Sequence, residues 1–306
     1  MKTKDLLTLE EFQREELEAL FREADALRKE DTARPLAGKT LGLIFQKPSM
    51  RTRVSFEVGM FQLGGQAITL GIDDIQLGVR EATRDIAAVL SRYLDGIVAR
   101  TFGHGDVELL ARHATVPVVN GLSDLHHPCQ ALSDLYTIWK KKKALKGIRL
   151  AYVGDGNNVL HSLLIGAGIV GMHCSVATPK GYEPKAQIVA KAKKLGGSSG
   201  SEVELTNDPA KAVSGADVVY TDVWTSMGQE KERALRSKAF RSFQVDRALM
   251  RKAKPSALFM HCLPAHRGEE VTDEVLDGPR SIVFDQAENR LHVQKALLVR
   301  LLRNKR

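Results

Sequence analysis

The feature that most limits the fold of this chain is the alternation of short apolar runs with amphipathic segments of helical length. Short apolar runs bounded by turn residues predict buried strands, and helical segments between them predict parallel sheets connected through helices. In the first part of the chain the predicted strands are Leu41–Phe45, Ala67–Leu70, Gly96–Ala99 and Val116–Val119.

The alternation is interrupted by the lysine run Lys140–Lys143 and by Gly147, and then it starts again. This predicts an α/β fold with two doubly wound parallel-sheet domains, residues 1–143 and 144–285, and a C-terminal helical segment, 286–306. We predict helices at Thr8–Lys29 and Gln286–Leu302. The second sheet is predicted to contain Arg149–Val153, Cys174–Ala177, Glu202–Leu205, Val218–Tyr220, Ala257–Met260 and Ser281–Phe284. Ligands bind at the carboxyl ends of such strands, so we expect an active-site cleft between the domains.

Composition agrees with a globular protein of two domains, since the 306 residues are 43% hydrophobic and 27% charged and a domain has about 150 residues. Three cysteines without a close pair argue against a disulfide framework and favour a reducing, cytoplasmic environment. We also expect no signal peptide and no membrane-spanning segment, because no apolar run is long enough.

The net charge of +8 is compatible with nucleic acid, a membrane surface or a small anionic substrate as partner. No nucleic-acid-binding module is recognisable. The lysine run is interpreted as the solvated end of a helix. We therefore expect neither nucleic acid nor membrane as a partner, and we favour a small anion.

The segment Ser49–Arg53 lies between a predicted strand and a predicted helix, and it reads Ser-Met-Arg-Thr-Arg. The first turn of a helix has unpaired N–H groups and a partial positive charge, so two arginines and two hydroxyls there form a receptor for an anion such as phosphate. The alternative is an ordinary serine cap with solvated arginines.

Four further polar clusters follow predicted strands. The first is His127-Pro128-Cys129-Gln130, where His127 and Gln130 share a face of a helix start. The loop Gly154–Asn158 lacks the third glycine of a dinucleotide-binding loop, so its asparagines suit a carboxylate or amide better. The other two clusters are Asp222–Gly228 and His261–Pro264.

Asp222 offers a fixed anion for an ammonium group, and Ser226 and Gly228 could close over a ligand. Cys262, at a strand end among arginines, is expected to have thiolate character, although a buried structural cysteine is the alternative. His261, Cys262 and His266 lack the spacing of a zinc site, and no metal is predicted. Three further polar side chains are candidates, namely Gln76 in a Gly-rich loop, Arg100 at the end of a predicted strand and Arg290 near the start of the last helix.

These clusters, in this order, resemble the carbamoyltransferases, and among them the branch that uses ornithine. Ser-x-Arg-Thr-Arg and His-Pro-x-Gln are shared by the whole superfamily, whereas Asp-Val-Trp-x-Ser-Met-Gly and His-Cys-Leu-Pro mark the ornithine branch. The resemblance spans essentially the whole chain. It implies transfer of a carbamoyl group from carbamoyl phosphate to the δ-amine of L-ornithine, which gives L-citrulline and phosphate without a cofactor. We expect the direction to be biosynthetic, in arginine metabolism.

The resemblance also implies roles for the individual residues and domains. Residues 1–143 would bind carbamoyl phosphate, residues 144–285 would bind ornithine, and the C-terminal helix would pack back on the first domain. The catalytic residues would be Arg51, Arg100, His127 and Cys262. Carbamoyl phosphate would be bound by Ser49, Met50, Arg51, Thr52, Gln76, Arg100, His127, Pro128, Cys129, Gln130, Cys262, Leu263 and Arg290. L-Ornithine would be bound by Asn158, Asp222, Ser226 and Met227.

In this superfamily the site is completed in a homotrimer, so the resemblance implies that the loop bearing Gln76 reaches into a neighbour's site. Met50 departs from the family, which usually has threonine there, and we expect weaker binding of carbamoyl phosphate. The alternatives to ornithine as the acceptor are putrescine or an N-acylated ornithine. A non-catalytic relative that binds metabolites is a further alternative.

Overall fold

The computed structural model describes residues 4–29, 34–226 and 228–303. Within them the chain forms two compact units, which divide inside two long helices. The first unit contains residues 1–136 and 288–306, and the second contains residues 137–287. The C-terminal residues therefore belong to the first unit, where Arg290 donates to Thr52 and Lys295 donates to Gln62.

The first unit is a parallel sheet whose strands are connected by helices. Its elements are α1 (Arg14–Lys29), β1 (Thr40–Phe45), α2 (Met50–Gln62), β2 (Gln66–Leu70), α3 (Thr83–Tyr93), β3 (Gly96–Arg100), α4 (His104–His113), β4 (Val118–Leu122) and the first part of α5 (Pro128–Lys142). The strand order is β2-β1-β3-β4, so the order reverses between β1 and β3.

The second unit is a parallel sheet with the strand order β7-β6-β5-β8-β9. Its strands are β5 (Arg149–Val153), β6 (His173–Ala177), β7 (Val203–Thr206), β8 (Val218–Thr221) and β9 (Leu258–His261). Its helices are α6 (Asn158–Val170), α7 (Ala186–Ser199), α8 (Pro209–Val213), α9 (Arg233–Phe240), α10 (Arg247–Met250), α11 (Asp273–Leu276) and the start of α12 (Val283–Leu302), with 3-10 turns at Glu230–Glu232 and Arg241–Phe243. Here the order reverses between β5 and β8.

The predicted fold class of two parallel-sheet α/β domains is confirmed. Strands buried on both faces carry nearly continuous apolar runs, as the burial of all five residues of β3 illustrates. Apolar side chains of the helices complete each core, for example Ile86 and Val107 in the first unit and Phe240 and Val275 in the second.

Two element predictions are wrong. Ser281–Phe284 is not a strand, because Ser281 makes only an isolated bridge to Phe259 before α12 begins at Val283. Ile282 and Val283 are buried whereas Phe284 is exposed, and so short an apolar run has the same sequence pattern in a strand and at the start of a helix. The first helix begins at Arg14 rather than Thr8, because Leu6 pairs with Val119 at the sheet.

The topology places the polar clusters where parallel sheets bind ligands. In the first unit, Phe45 at the end of β1 is paired with Arg100 at the end of β3, and these strands flank the reversal of order. In the second unit, Thr221 at the end of β8 is paired with His261 at the end of β9. Since ligands bind outside the carboxyl ends at such reversals, each unit has one edge suited to a ligand.

Candidate active site

The segment Ser49–Arg53 forms the start of α2, as the sequence predicts. Ser49 has an extended backbone, and its Oγ accepts a hydrogen bond from the Thr52 N–H at 3.3 Å. This is an ordinary serine cap. The two interpretations of the segment are therefore compatible. The serine cap fixes where the helix begins, and the remaining N–H groups of the first turn can still bind an anion.

Two buried arginines lie in the first unit with His127. Arg100 is 5% exposed and Arg290 is 4% exposed. Nη2 of Arg290 donates to Oγ1 of the fully buried Thr52 at 2.9 Å. Burial, followed by the charges of Arg290 and Arg100, holds the pKa of His127 well below its ordinary value of 6.5. His127 is thus a neutral imidazole beside two guanidinium groups, an arrangement that attracts an anion.

His127 directly precedes α5, whose first residue is Pro128. Proline fits the first position of a helix because its missing N–H would have no intrahelical partner. The buried Gln130 donates from Nε2 to Asp134 Oδ1 at 2.9 Å. Its Oε1 is buried and accepts no hydrogen bond from the described residues. The amide oxygen is therefore an acceptor that a ligand N–H could use.

Cys129, in the third position of this motif, is a buried residue whose thiol contacts the backbone. Its Sγ lies 3.5 Å from the carbonyl oxygen of Asn120, and burial raises the pKa of the thiol to about 12. The thiol is protonated at neutral pH and packs as a small apolar group.

Two residues of the predicted carbamoyl phosphate set are exposed. Met50 is 69% exposed at the first position of α2. Gln76 is exposed in a turn, where its carbonyl oxygen accepts from the N–H groups of Val79 and Arg80. The next residue, Leu77, is buried in the core of the first unit, so the turn is anchored there while the Gln76 side chain is exposed.

In the second unit, the Gly154–Asn158 loop ends in a helix cap. Oδ1 of Asn157 accepts from the N–H groups of Val159 and Leu160 at the start of α6. The Nδ2 group of the same side chain donates to Asp222 Oδ2 at 2.7 Å. Asn157 thus joins the end of β5 to the end of β8, while Asn158 is half-buried as the first residue of α6.

Asp222 is 5% exposed and also accepts from Cys262, whose Sγ lies 2.8 Å from Asp222 Oδ1. One neighbour of the Cys262 thiol across the strand ends is therefore a carboxylate, whereas the sequence predicted a cleft of arginines. The nearby Tyr152 is protonated, since burial and the charge of Asp222 raise the pKa of its phenol well above the ordinary value.

His261 positions the turn that contains Cys262 and Leu263. Its Nδ1 accepts from the Leu263 N–H at 2.9 Å, and its Nε2 lies 3.1 Å from Oε1 of the buried Glu270. These partners assign the proton to Nε2. Leu263 has a φ of +55°, in the left-handed region that a branched side chain rarely adopts. The hydrogen bonds of His261 hold that conformation.

A buried ion pair stabilises the loops at the carboxyl ends of the strands in the second unit. Nη1 of Arg236, on α9, lies 3.3 Å from Oδ1 of Asp155, and both side chains are more than 90% buried. The same nitrogen donates to the Trp224 carbonyl oxygen at 3.0 Å. Burial raises the pKa of Asp155 to about 6, although Arg236 opposes this rise. Arg236 thus ties the loop before α6 to the loop that follows β8.

That second loop contains Ser226, whose N–H donates to Oε1 of Gln229 at 3.1 Å. Met227, also predicted to bind ornithine, lies outside the described residues. The sequence singled out Asn157 as a recognition residue but not as a helix cap, and it missed two contributors, Arg236 and Glu270. Asn157 had a local signal, because an asparagine before an apolar helix is a preferred cap. Arg236 and Glu270 had none, since their partners are distant loops.

One group of possible metal ligands lies in this region. Donor atoms of Asp222, His261 and Cys262 lie within 4.8 Å of one another. However, both ring nitrogens of His261 are engaged with Leu263 and Glu270. The group therefore serves as a hydrogen-bond network. Among the described residues, no helix is both long and apolar enough to cross a bilayer.

Each unit thus combines a parallel sheet with polar residues at the reversal of its strand order, and family models match both units. The aspartate/ornithine carbamoyltransferase carbamoyl-P binding domain matches residues 4–140, and the Asp/Orn binding domain of the same proteins matches residues 146–301. The chain belongs to the aspartate/ornithine carbamoyltransferase family.

Its relatives specify the branch of that family. The ornithine carbamoyltransferase of Anoxybacillus flavithermus is 56% identical, with 99% of this chain and 98% of the relative covered. The solved ornithine carbamoyltransferase of Pyrococcus furiosus is 54% identical with a TM-score of 0.96, covering 99% and 98% of the two chains. The anabolic ornithine carbamoyltransferase of Campylobacter jejuni is 40% identical with a TM-score of 0.93, covering 98% and 99%.

Proposed function

We propose that this chain transfers the carbamoyl group of carbamoyl phosphate to the δ-amine of L-ornithine, giving L-citrulline and phosphate. Membership of the family and the ornithine enzymes among its relatives support this activity. The single structural observation that carries it is the neutral His127 beside the buried Arg100 and Arg290. Burying two cations is costly unless an anion or polar partners compensate them.

In this proposal the first unit binds carbamoyl phosphate. The N–H groups at the start of α2 and the side chains of Ser49, Arg51 and Thr52 hold the phosphate, with Arg100 also reaching it. Arg290 orients Thr52, because its Nη2 donates to the threonine hydroxyl oxygen. That contact leaves the Thr52 hydroxyl proton to be given to the ligand.

The same unit would polarise the carbonyl group. Arg100, Thr52 and His127 donate to the carbonyl oxygen, which gains negative charge as the amine attacks. A neutral His127 is suited to this role because a neutral imidazole keeps one N–H group, from which it can donate a hydrogen bond to the carbonyl oxygen. Oε1 of Gln130 would accept a hydrogen bond from the carbamoyl NH2 group. This oxygen is available for the ligand because no described residue donates to it.

The second unit would bind ornithine through Asn158, Asp222, Ser226 and Met227. An alkylamine has a pKa near ~10, and only its neutral form attacks. Asp222 and Cys262 would orient the δ-amine and assist loss of its proton. The amine lone pair forms the new C–N bond, the C–O bond to phosphate breaks, and the proton lost from nitrogen ends on the departing phosphate. Most of the acceleration then comes from positioning and from the oxyanion donors.

One assay tests the function. Product formation from carbamoyl phosphate is measured with ornithine, putrescine, N-acetylornithine and aspartate in parallel. We expect citrulline from ornithine and little product from the others, since Asp222 and Ser226 are proposed to bind a free α-amino acid and, of the four, only ornithine combines that with a δ-amine. Turnover of putrescine or N-acetylornithine alone would assign a different acceptor. No product from any amine would favour a non-catalytic relative that binds metabolites.

We expect Met50→Thr to tighten the binding of carbamoyl phosphate. The new hydroxyl would add one hydrogen bond to a charged group at the start of α2, worth at most about 1.5–3 kcal/mol. The dissociation constant, measured by calorimetry, should fall by up to about 100-fold. Val89→Thr is the matched control, because Val89 is also an exposed apolar residue of the first unit but lies on α3. Equal affinity of Met50→Thr and the parent would contradict the prediction.

We also propose a homotrimer with shared active sites, in which Gln76 serves a neighbouring copy. Four apolar side chains are exposed along one face of α2 at helical spacing, namely Met50, Val54, Val58 and Phe61. Ile68 on the neighbouring strand β2 is 46% exposed. Contiguous exposed apolar surface of this kind marks an interaction site. A monomeric mass in sedimentation equilibrium at assay concentration would contradict this assembly.

Three finer assignments accompany the proposal. A biosynthetic direction is supported by the similarity to an anabolic enzyme. A cytoplasmic location follows from the cysteine usage, since all three cysteines are free. The functional domains are proposed to follow the limits predicted from the sequence, with residues 1–143 for carbamoyl phosphate and 144–285 for ornithine. Growth of an arginine auxotroph that expresses this chain would test the direction.

A further inference from the structure

A second cluster of donor atoms lies in the loop after β9, beyond the proposed ornithine-binding residues. It consists of His266, Glu269 and Glu270, each of which offers a donor atom within 4.8 Å of the other two. Nδ1 of His266 is 3.8 Å from Oε2 of Glu269 and 3.9 Å from Oε2 of Glu270. Both separations are too long for a hydrogen bond.

Each carboxylate in this cluster has its other oxygen already engaged. Oε1 of Glu269 pairs with Arg233 at 2.5 Å. Oε1 of Glu270 accepts from the His266 N–H and lies 3.1 Å from Nε2 of His261. The protein therefore fixes the orientation of both carboxylates and turns the second oxygen of each toward the imidazole. Ligating carboxylates in metal sites are held by outer partners in the same way.

Glu270 gives an independent indication of a ligand. Its side chain is fully buried, and its Oε2 accepts no hydrogen bond from the described residues. Nδ1 of His266 is also a buried atom without a hydrogen-bond partner among those residues. Buried polar atoms of native proteins are nearly always satisfied, and an ion is one explanation when they are not.

We propose that His266, Glu269 and Glu270 bind a divalent transition-metal ion, of which Zn²⁺ is the best fit. One imidazole nitrogen and two carboxylate oxygens suit Zn²⁺ or Co²⁺ better than Mg²⁺, which prefers oxygen ligands alone. With bonds of about 2.1 Å, ligand atoms of a tetrahedral zinc site are about 3.4 Å apart. The three donor atoms reach that spacing by small rotations, and water would supply the fourth ligand.

The ion would stabilise the preceding turn, which contains Leu263. Glu270 also holds His261, and His261 holds the backbone of Leu263. A bound ion would therefore stabilise the folded second unit and the conformation of Leu263. The sequence did not reveal this site, because His266 and the glutamates lie in a loop and match no common zinc spacing.

The test is zinc titration of the full chain by calorimetry after treatment with a chelator. Cys262→Ala serves as the background, because it removes the thiol of the other possible group, Asp222, His261 and Cys262. We expect this variant to bind one Zn²⁺, and we expect added His266→Gln to weaken binding by at least about 100-fold, since even outer-shell partners contribute 10- to 100-fold.

His173→Gln is the matched control. Nδ1 of His173 also lies 3.8 Å from a carboxylate oxygen, that of Glu202, but His173 belongs to no group of three possible metal ligands among the described residues. It should leave zinc affinity unchanged. Glu269→Gln gives a second variant on the partly exposed side of the cluster. Co²⁺ should give d–d absorption in the Cys262→Ala background that His266→Gln abolishes. Unchanged zinc affinity after His266→Gln, or no binding by the background variant, would overturn the proposal.

Discussion

Replacing Arg100 with methionine is expected to lower kcat/KM for carbamoyl phosphate by at least about 10³-fold. Loss of one oxyanion donor alone costs about 10²- to 10³-fold in kcat, and Arg100 is also proposed to bind the phosphate. Methionine keeps most of the buried volume, so the fold should be retained. Steady-state kinetics with saturating ornithine measures the loss, and circular dichroism checks the fold.

The same variant has a second readout that a purely structural role would not produce. The charge of Arg100 is one cause of the low pKa of His127. Its removal should therefore raise that pKa, while burial and Arg290 still keep it below 6.5. NMR titration of the His127 ring measures the shift.

Two controls separate the positioning mechanism from covalent chemistry. Arg112→Met changes an exposed arginine in α4 of the same unit and should leave kcat/KM unchanged. Cys262→Ala should reduce turnover only modestly, since the thiol is proposed to orient the amine. An Arg100→Met enzyme with near-normal kcat/KM would refute the assigned role, and an isolable carbamoyl-cysteine adduct would refute the mechanism.

Replacing Arg236 with leucine is expected to lower the free energy of unfolding at pH 7.5 by about 3 kcal/mol or more. Removing one partner of a buried ion pair leaves an uncompensated charge, which typically costs about 3–5 kcal/mol. Here the charge is that of Asp155, which is buried to more than 90%. Urea-induced unfolding measures the change. The KM for ornithine should rise as well, because Arg236 also holds the carbonyl oxygen of Trp224.

The loss of stability should depend on pH in a defined direction. The folded-state pKa of Asp155, about 6, lies above its ordinary value of 3.8. The folded state therefore binds more protons than the unfolded state between these values, and the associated stability is lost as pH rises through 6. Without Arg236 the folded-state pKa rises further. The difference in the free energy of unfolding between parent and variant should thus be small at pH 5 and should increase above pH 6.

Asp155→Asn supplies the control for this pair. In the Arg236→Leu background it removes the buried charge, so it should recover part of the lost stability at pH 7.5. An Arg236→Leu variant that unfolds at the same urea concentration as the parent at pH 7.5 would show that the ion pair contributes nothing to folding.

Much of the fold could be predicted because its signals are local. Most of the confirmed strands contain an apolar run, as β1, β3 and β5 do, and the caps Ser49 and Asn157 stand directly before their helices. The Ser281–Phe284 error has the same origin, because a short apolar run faces a core in a strand and in a helix start alike. Local pattern alone cannot distinguish the two.

The candidate site could be predicted only in part. Arg100, His127 and Asp222 stood out because they follow strands, and parallel strands bring their ends to one edge. The sequence could not show that Cys262 donates to Asp222, because the two residues are 40 positions apart. Nor could it show the low pKa of His127, which depends on burial and on charges from two other elements.

The sequence by itself thus determined the two parallel sheets, the strand ends at which ligands bind, and the residue types of the carbamoyltransferase family, since each depends on neighbours along the chain. Only the tertiary structure decided which of those residues act together. Arg290 and Thr52 are 238 positions apart, yet they share a hydrogen bond in the first unit. Burial and charge are properties of the folded surroundings, so the pKa values of His127 and Asp155 follow from packing.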